Sequence, residues 1–305
     1  MATFRYFNLL QSGLFGVSFI ETTPTRITVT TDGLIETYTG VFTYSGSSVV
    51  GGTVTGYSLS QDGRQIAAGE GMNVSAPALA NAVLSGDVMT VGALMFGAND
   101  EIWGSVYGEA LAGFGGADTI IALDGNDTVA GGAGDDDING NVGQDVVSGE
   151  AGADWVRGGK DNDTIWGGDG DDPHVNGNLG DDSVNGDAGN DTVFGGQGQD
   201  WVRGGVGDDL VSGDLGDDTL EGGAGTDFLY GGAGLDIFVM RTGDGFDFIM
   251  DFNDSQGDRV LLPLGTTYRM TTYEGYAAAD IDNATDAIVF YGLTLAQMGD
   301  WAIFA

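Results

Sequence analysis

Three consecutive nine-residue stretches decide how this chain folds: GGAGDDDIN at 131–139, GNVGQDVVS at 140–148 and GEAGADWVR at 149–157. Each stretch has Gly at its first and fourth positions, Asp at its sixth and a large aliphatic residue at its eighth. The unit can be followed in both directions as fourteen copies from Gly113 to Val239, with one extra residue that we place at Asn176. A fixed nine-residue period is typical of a solenoid, in which each unit stacks on its neighbours.

The sixth position of the unit is Asp in all fourteen copies. These residues are Asp118, Asp127, Asp136, Asp145, Asp154, Asp163, Asp172, Asp182, Asp191, Asp200, Asp209, Asp218, Asp227 and Asp236. The eighth position is apolar in thirteen copies, and His174 is the exception. His174 lies in the copy with the extra residue, so we expect a bulge that turns Val175 inward in its place. An apolar residue at a fixed position argues against a disordered acidic linker.

The negative charge of the chain is concentrated in these repeats. Residues 113–239 hold 27 of the 46 acidic and 3 of the 9 basic residues, which is −24 of a formal net charge of −37. Such a density keeps a chain expanded unless cations neutralise it, and it argues against nucleic acid or anionic lipid as a partner. The chain has no cysteine, which excludes disulfides and thiolate metal sites.

The repeated positions fit the nonapeptide GGxGxDxUx, in which U is a large apolar residue. The chain therefore resembles the repeats-in-toxin (RTX) family of haemolysin-type calcium-binding repeats, over about 127 of its 305 residues. The resemblance implies an all-β fold built on a calcium-binding parallel β-roll, a β-solenoid. The run GDGFDFIMDF at 243–252 is similar to the segment that follows the repeats in that family. The acidic-then-apolar end at 300–305 looks like its uncleaved secretion signal, which implies the type I secretion machinery as a partner and an extracellular or cell-surface location.

In such a roll each unit forms a six-residue turn and a three-residue strand, and two units complete one turn of the coil. Two sixth-position carboxylates then meet at each gap between stacked turns, where glycines let backbone carbonyls bend inward. A cage of hard oxygens suits Ca²⁺. Fourteen units leave twelve gaps, so we expect about 12 calcium ions, whose charge would balance the −24 of the segment. Ordering the backbone costs roughly 1–2 kcal/mol per residue, so we expect calcium binding and folding to be one event.

The sequence outside the repeats predicts two further β-rich regions. We expect a β-rich N-terminal region at 1–94, the roll at 95–239 with two degenerate units ahead of the fourteen, and a β-rich C-terminal cap at 240–305. The first residues are expected to form a strand and not a signal peptide, and no apolar run is long enough to span a membrane. Short helices are predicted at 76–84 and from Thr294.

Three acidic residues of the cap leave two interpretations open. Asp247, Asp251 and Asp258 either complete a calcium site at the end of the roll or form a solvated acidic loop. Catalysis has little support in the sequence, because there is one histidine, no cysteine nucleophile and neither an HExxH nor a GxSxG motif. We therefore predict that the protein is not an enzyme.

The tryptophans are the other candidate binding residues. Trp155 and Trp201 occupy the seventh position of their units and Trp166 the ninth, so all three should point outward from the sheets. The hexapeptide Asp-Trp-Val-Arg-Gly-Gly at 154–159 recurs at 200–205, 46 residues on, which indicates an internal duplication. Exposed Trp beside Arg anchors a protein interface or a sugar ring, and the alternative is packing against the terminal regions of the chain itself.

Two function hypotheses follow from these features. The first is a secreted calcium-binding structural protein that folds and self-assembles outside the cell into a surface layer, filament or matrix. The second is a soluble calcium-dependent adhesin or glycan-binding protein that uses the outward tryptophans on a cell-surface or matrix glycan.

Overall fold

The computed structural model describes residues 17–23, 26–31, 34–45, 48–61, 64–75, 99–104, 106–281, 286–298 and 302–304. The helix predicted at 76–84 lies outside these residues. The N-terminal strands are β1 (Val17–Thr23), β2 (Arg26–Thr31), β3 (Leu34–Ser45), β4 (Ser48–Gln61) and β5 (Arg64–Ser75). Each pairs with the next in antiparallel fashion, and β5 lies beside the first strand of the roll. The strand predicted for the first residues lies mostly outside the described residues, which begin with β1 at Val17.

The middle of the chain winds into a parallel coil of about nine turns. Its strands are β6 (Glu101–Trp103), β7 (Ala110–Gly115), β8 (Thr119–Ile121), β9 (Thr128–Ala133), β10 (Asp137–Val142), β11 (Val146–Ala151), β12 (Trp155–Lys160), β13 (Thr164–Asp169), β14 (His174–Leu179), β15 (Ser183–Ala188), β16 (Thr192–Gln197), β17 (Trp201–Val206), β18 (Leu210–Leu215), β19 (Thr219–Ala224), β20 (Phe228–Tyr230) and β21 (Ile237–Val239). Even-numbered strands form one sheet, here called sheet A, and odd-numbered strands form the other, sheet B. Ile138 lies opposite Ile120 and Val156, each 18 residues away, which confirms two nine-residue units per turn.

The eighth-position residues form the core between the two sheets. All thirteen of the apolar ones are buried, from Ile120 to Phe238, with at most 2% of their surface exposed. Val175 is fully buried in place of His174, as the repeat pattern predicts. Together with Val175 and Ala122, these residues form the buried apolar core of the repeats.

The extra residue lies three positions earlier than the sequence predicts. His174 pairs with Trp155, and Asn176 pairs with Arg157, so Asn176 is an ordinary ninth-position residue. The inserted residue is therefore Pro173, between the ladder aspartate and the strand. Proline has no backbone N–H to donate, so it fits at this unpaired point.

The strands are also longer than the three residues expected from the repeat. Most cover six residues, because the parallel pairing resumes after a gap at the first position of the next unit. In β10 and β12, Asn139 pairs with Arg157 and Asn141 with Gly159, whereas Gly140 is skipped. The skipped glycine marks a bend in each strand.

The C-terminal region continues both sheets. Its elements are β22 (Phe246–Ile249), β23 (Arg259–Leu262), β24 (Tyr268–Tyr273), β25 (Tyr276–Ile281), β26 (Asp286–Phe290), a 3₁₀ turn at Leu295–Gln297 and β27 (Ala302–Phe304). Sheet A runs from β20 through β22, β26 and β25 to β24, and sheet B from β21 through β23 to β27. The helix predicted from Thr294 is the single 3₁₀ turn, with Thr294 as its N-cap.

The cap closes the core with aromatic side chains. Phe252 lies between Phe238 of the last repeat and Phe290, with ring centroids 6.2 and 5.2 Å apart. The all-β solenoid with β-rich ends is thus confirmed, while the region boundaries at 94 and 239 stay predictions. Within the described residues no helix has the length and apolarity needed to cross a membrane.

Candidate metal centres

The sixth-position aspartates form two ladders, one along each edge of the roll. Each carboxylate accepts, through Oδ1, a hydrogen bond from the backbone N–H of the residue at the same place one turn earlier. That residue is an aspartate for every carboxylate except Asp127, whose donor is Glu109. The N–H of Asp136, for example, donates to Asp154 Oδ1 at 2.8 Å. Twelve such bonds of 2.7–3.1 Å join the fourteen aspartates. Every one of the twelve predicted gaps is therefore spanned by a carboxylate.

The second oxygen of each of these carboxylates has no hydrogen-bond partner among the described residues. All fourteen Oδ2 atoms are buried and unpaired. An unpaired buried carboxylate is far more costly than an unpaired neutral group, because a charge has left water without compensation. Fourteen of them in two rows indicate that these oxygens serve a cation.

The first-position glycines leave open the space into which these oxygens point. A Cβ atom built on Gly140 would lie 2.4 Å from Asp145 Oδ2 and 2.5 Å from the carbonyl oxygen of Gly158, one turn further along. The same overlap with the local Oδ2 occurs at the first position of the other glycine-bearing units. A carboxylate oxygen and a carbonyl oxygen of the next turn therefore converge where a side chain would otherwise stand.

The electrostatics of the ladders indicate the same role. Burial, together with the charges of neighbouring ladder carboxylates, raises the pKa of Asp163 to about 8 and that of Asp136 to about 7. The backbone hydrogen bond from the preceding turn lowers each pKa and only partly offsets burial. A divalent cation between two carboxylates would offset the cost of burying their negative charges.

The donor set fits calcium. Among the described residues no three His, Cys, Asp or Glu side chains converge on one point, so each gap offers two carboxylates and backbone carbonyls. Hard oxygens in a flexible arrangement are what Ca²⁺ prefers, whereas zinc and copper favour nitrogen and sulfur. The ladder residues that would hold the ion are the fourteen aspartates predicted from the repeat.

The ladders extend beyond the fourteen repeats. Asp118 Oδ1 accepts the N–H of Asp100 at 2.7 Å, and Asp247 Oδ1 accepts the N–H of Asp227 at 3.1 Å. Asp100 and Asp247 are buried, and each has an Oδ2 without a partner in the described part of the chain. Burial and the charge of Asp227 raise the pKa of Asp247 to about 9. In the sequence, Asp100 is the sixth residue of 95–103, the first of the two degenerate units ahead of the fourteen.

The other end of the second ladder is different. Asp258 Oδ1 accepts the N–H of Asp236 at 3.2 Å, but its Oδ2 accepts the N–H of Asn253 at 2.7 Å. The carboxylate of Asp251 accepts the N–H groups of Gly231 and Gly232, both at 2.9 Å. The three cap aspartates therefore divide: Asp247 continues a ladder, whereas backbone amides of the protein already use both oxygens of Asp251 and Asp258.

The structure brings two of the three candidate tryptophans together. Trp166 and Trp201 line one cavity of about 370 Å³ on sheet B. Trp155 lies on sheet A, where its ring is 5.0 Å from that of His174. All three point away from the core as predicted, and about half of the surface of Trp155 and Trp201 is exposed.

Stacked parallel turns with a carboxylate ladder along each edge define a calcium-binding parallel β-roll. Four copies of the family model for the RTX calcium-binding nonapeptide repeat match the chain, at residues 112–147, 148–172, 174–202 and 203–238. The repeat region therefore belongs to the RTX family, whose repeats bind calcium and are typical of secreted proteins. The second and third copies leave out residue 173, the inserted proline. A comparison with curated proteins found no match.

Proposed function

We propose that this protein is a secreted, non-enzymatic structural protein that folds when calcium fills its two carboxylate ladders and then self-assembles outside the cell. The observation that carries the proposal is the set of buried, unpaired Oδ2 atoms along both edges of the roll. These atoms make the metal-free roll unstable at neutral pH, because their charges have no partner. Calcium then supplies the missing interaction, and folding follows metal binding.

The same atoms support a specific number of ions. The twelve gaps between repeat aspartates each have an unpaired oxygen on both sides. The gaps from Asp100 to Asp118 and from Asp227 to Asp247 meet the same condition. The gap from Asp236 to Asp258 does not, because both Asp258 oxygens accept backbone hydrogen bonds. We therefore assign calcium to the twelve repeat gaps and to two flanking gaps.

Calcium-controlled folding suits export. Extracellular calcium modules bind at roughly 10⁻⁴–10⁻³ M, well above the range of cytosolic sensors. A chain with such sites remains unfolded inside the cell, can be threaded through a type I secretion channel and folds on reaching external calcium. The resemblance of the C-terminal end to the secretion signal of that system supports this route.

Self-assembly is supported by the edge of the cap. Strand β24 pairs with β25 on one side, and within the described residues nothing pairs with its other side. Tyr273 at the end of this strand is 41% exposed. A strand edge with an exposed aromatic residue is a template for pairing with a second chain. Assembly into a layer, filament or matrix would then proceed through contacts between folded molecules.

Calcium titration of the full-length chain tests the proposal. Circular dichroism reports β-structure and light scattering reports particle size on the same sample. We expect both signals to rise with calcium and to reverse with a chelator. A chain that gains β-structure but remains monomeric at high protein and saturating calcium concentrations would refute assembly while leaving calcium-dependent folding intact. A β-signal that is independent of calcium would refute the folding mechanism itself.

A second candidate function is a soluble calcium-dependent adhesin or glycan-binding protein. The observation that favours it is the shared cavity of Trp166 and Trp201 on sheet B. Exposed Trp beside polar groups is common in recognition sites, because the ring offers a large apolar face at low entropic cost.

A further inference from the structure

The cavity between Trp166 and Trp201 has the construction of a ligand site. Trp166 belongs to β13 and Trp201 to β17, and Ser183 and Asn185 of the intervening β15 line the cavity between them. Two strand spacings separate the tryptophans by about 10 Å in the direction across the sheet. The volume of about 370 Å³ lies in the range of small-ligand pockets.

A buried carboxylate organises the other wall of this cavity. Glu221 is 2% exposed although it lies on the outer face of sheet B. Arg241 donates a hydrogen bond to Glu221 Oε2 at 2.8 Å, and Arg203 Nε lies 3.4 Å from Glu221 Oε1. Both arginine side chains remain about half exposed. One buried acid therefore orients two guanidinium groups whose remaining N–H donors face the cavity and solvent.

Such a buried ion triad is weak evidence for stability, since desolvation offsets most of the attraction. Its clearer effect is to hold two flexible side chains in place beside the tryptophans. Hydrogen bonds of preoriented donors cost less entropy when a ligand arrives.

The charges around the cavity select a neutral ligand. Both guanidinium groups already share Glu221, and the carboxylates of Asp187 and Asp244 lie close enough to interact with Arg203 and Arg241 respectively. The chain as a whole carries −37. An anion would lose its hydration and meet cations that are already neutralised, whereas a neutral polyol can accept from the arginines and stack on an indole ring.

We propose that this cavity binds one neutral sugar ring of a hydroxyl-rich polysaccharide, with Trp201 and Trp166 as stacking surfaces and Arg203 and Arg241 as donors. The proposal names the ligand class for the second candidate function and rests on it. In the described part of the chain, neither indole N–H has a hydrogen-bond partner, so both are free to donate to sugar hydroxyls.

The internal duplication supplies a matched control. Trp155 and Trp201 occupy the same place in identical hexapeptides, and 49% and 53% of their surfaces are exposed. Their surroundings differ: Trp155 lies against His174 on sheet A and the arginine of its hexapeptide, Arg157, pairs with Asp137. A change at Trp155 therefore removes an equally exposed indole without touching the sheet B cavity.

The experiment is native affinity electrophoresis of the full-length chain in calcium. The gels contain dextran, hydroxyethyl cellulose or mannan, with hyaluronate as an acidic comparator. We expect retardation in at least one neutral gel, a loss of tenfold or more in affinity for Trp201→Ala and Trp166→Ala, and wild-type affinity for Trp155→Ala. Calcium-dependent circular dichroism checks that each variant folds. Arg241→Lys keeps a cation beside the buried Glu221 but removes the guanidinium donors, so it should also weaken retardation and gives a second test.

Each remaining outcome overturns the proposal in a distinguishable way. If Trp155→Ala weakens retardation as much as Trp201→Ala does, or if the sheet B variants leave retardation unchanged, the protein binds glycans at a site other than this cavity. Retardation in hyaluronate alone overturns the neutral ligand class. No retardation in any gel removes both the cavity and the second candidate function.

Discussion

The replacement Asp247→Asn tests whether calcium also ties the C-terminal cap to the roll. Asp247 lies outside the fourteen repeats, is fully buried and has one unpaired oxygen facing the last turn. The substitution keeps the size and removes the charge that a cation would need. If the gap from Asp227 to Asp247 binds one ion, the variant folds with one ion fewer than the wild type.

The expected size follows from linkage. An ion that binds the folded state alone stabilises it by RT ln(1 + [Ca²⁺]/Kd), which is about 1.4 kcal/mol for each tenfold rise in calcium above Kd. The unfolding free energies of wild type and variant should therefore diverge by about 1.4 kcal/mol per decade of free calcium. Urea denaturation at three or four buffered calcium concentrations measures this slope, and equilibrium dialysis measures the ion count.

Asp258→Asn is the matched control. Asp258 occupies the equivalent place in the other ladder, but backbone N–H groups already use both of its oxygens. Its replacement should lower the unfolding free energy by a constant amount at every calcium concentration and leave the ion count unchanged. If the unfolding free energy of Asp247→Asn rises with calcium as steeply as that of the wild type, no ion binds at this gap. A larger change in that calcium dependence for Asp258→Asn would also refute the assignment.

Three further predictions concern the repeats. Gly140→Ala should abolish calcium binding at its turn, because the new Cβ would lie 2.5 Å from a backbone carbonyl oxygen that cannot move aside. The control Gly115→Ala places its Cβ 3.5 Å from the nearest atom, so equilibrium dialysis should show wild-type calcium binding. Val175→Ala should lower the unfolding free energy by about 2 kcal/mol in saturating calcium. His174→Ala, on the opposite face of the same strand, should lower it by less than about 1 kcal/mol. Equal losses for the two variants in urea denaturation would contradict the bulge. Without metal, the ladder carboxylates have higher pKa values in the folded roll than in the unfolded chain, such as about 8 for Asp163, so their protonated form favours folding. In metal-free buffer, β-structure should therefore be greatest near pH 4 and fall as pH rises through about 6–8. In saturating calcium the ladders must be ionised, so circular dichroism should show the opposite trend, with β-structure lost as protons displace the metal at low pH.

The repeat made most of the fold and of the candidate site predictable. A nine-residue period with one inward residue is enough to specify the coil, the core column and the two rows of aspartates. The predicted inward turn of Val175 is confirmed by its complete burial. These features depend on local order along the chain, and local order is what a sequence displays directly.

The predictions were weakest where the period breaks. The inserted residue was placed at Asn176, but strand pairing shows that it is Pro173. Either assignment satisfies the spacing of the aspartates, and only the hydrogen-bond register distinguishes them. The strand length was underestimated because a bend at the first-position glycine does not stop the pairing beyond it.

The cap aspartates show a further limit. Asp247 and Asp258 look alike in the sequence, because each stands two residues before an aliphatic residue, as the repeat aspartates do. Their difference depends on whether a backbone N–H, here that of Asn253, reaches the second oxygen. That contact depends on how the loop after β22 folds back, and no repeat governs that loop.

The sequence by itself determined that the repeat region is a calcium-binding β-roll with RTX repeats, because the ligand, the bend and the core residue recur within every nine residues. The tertiary structure alone decided which outward residues meet. The two copies of Asp-Trp-Val-Arg-Gly-Gly are five units apart, and because two units make one turn, an odd number of units puts them on opposite sheets. Trp201 therefore shares a cavity with Trp166 and a buried glutamate, while the identical hexapeptide places Trp155 beside His174.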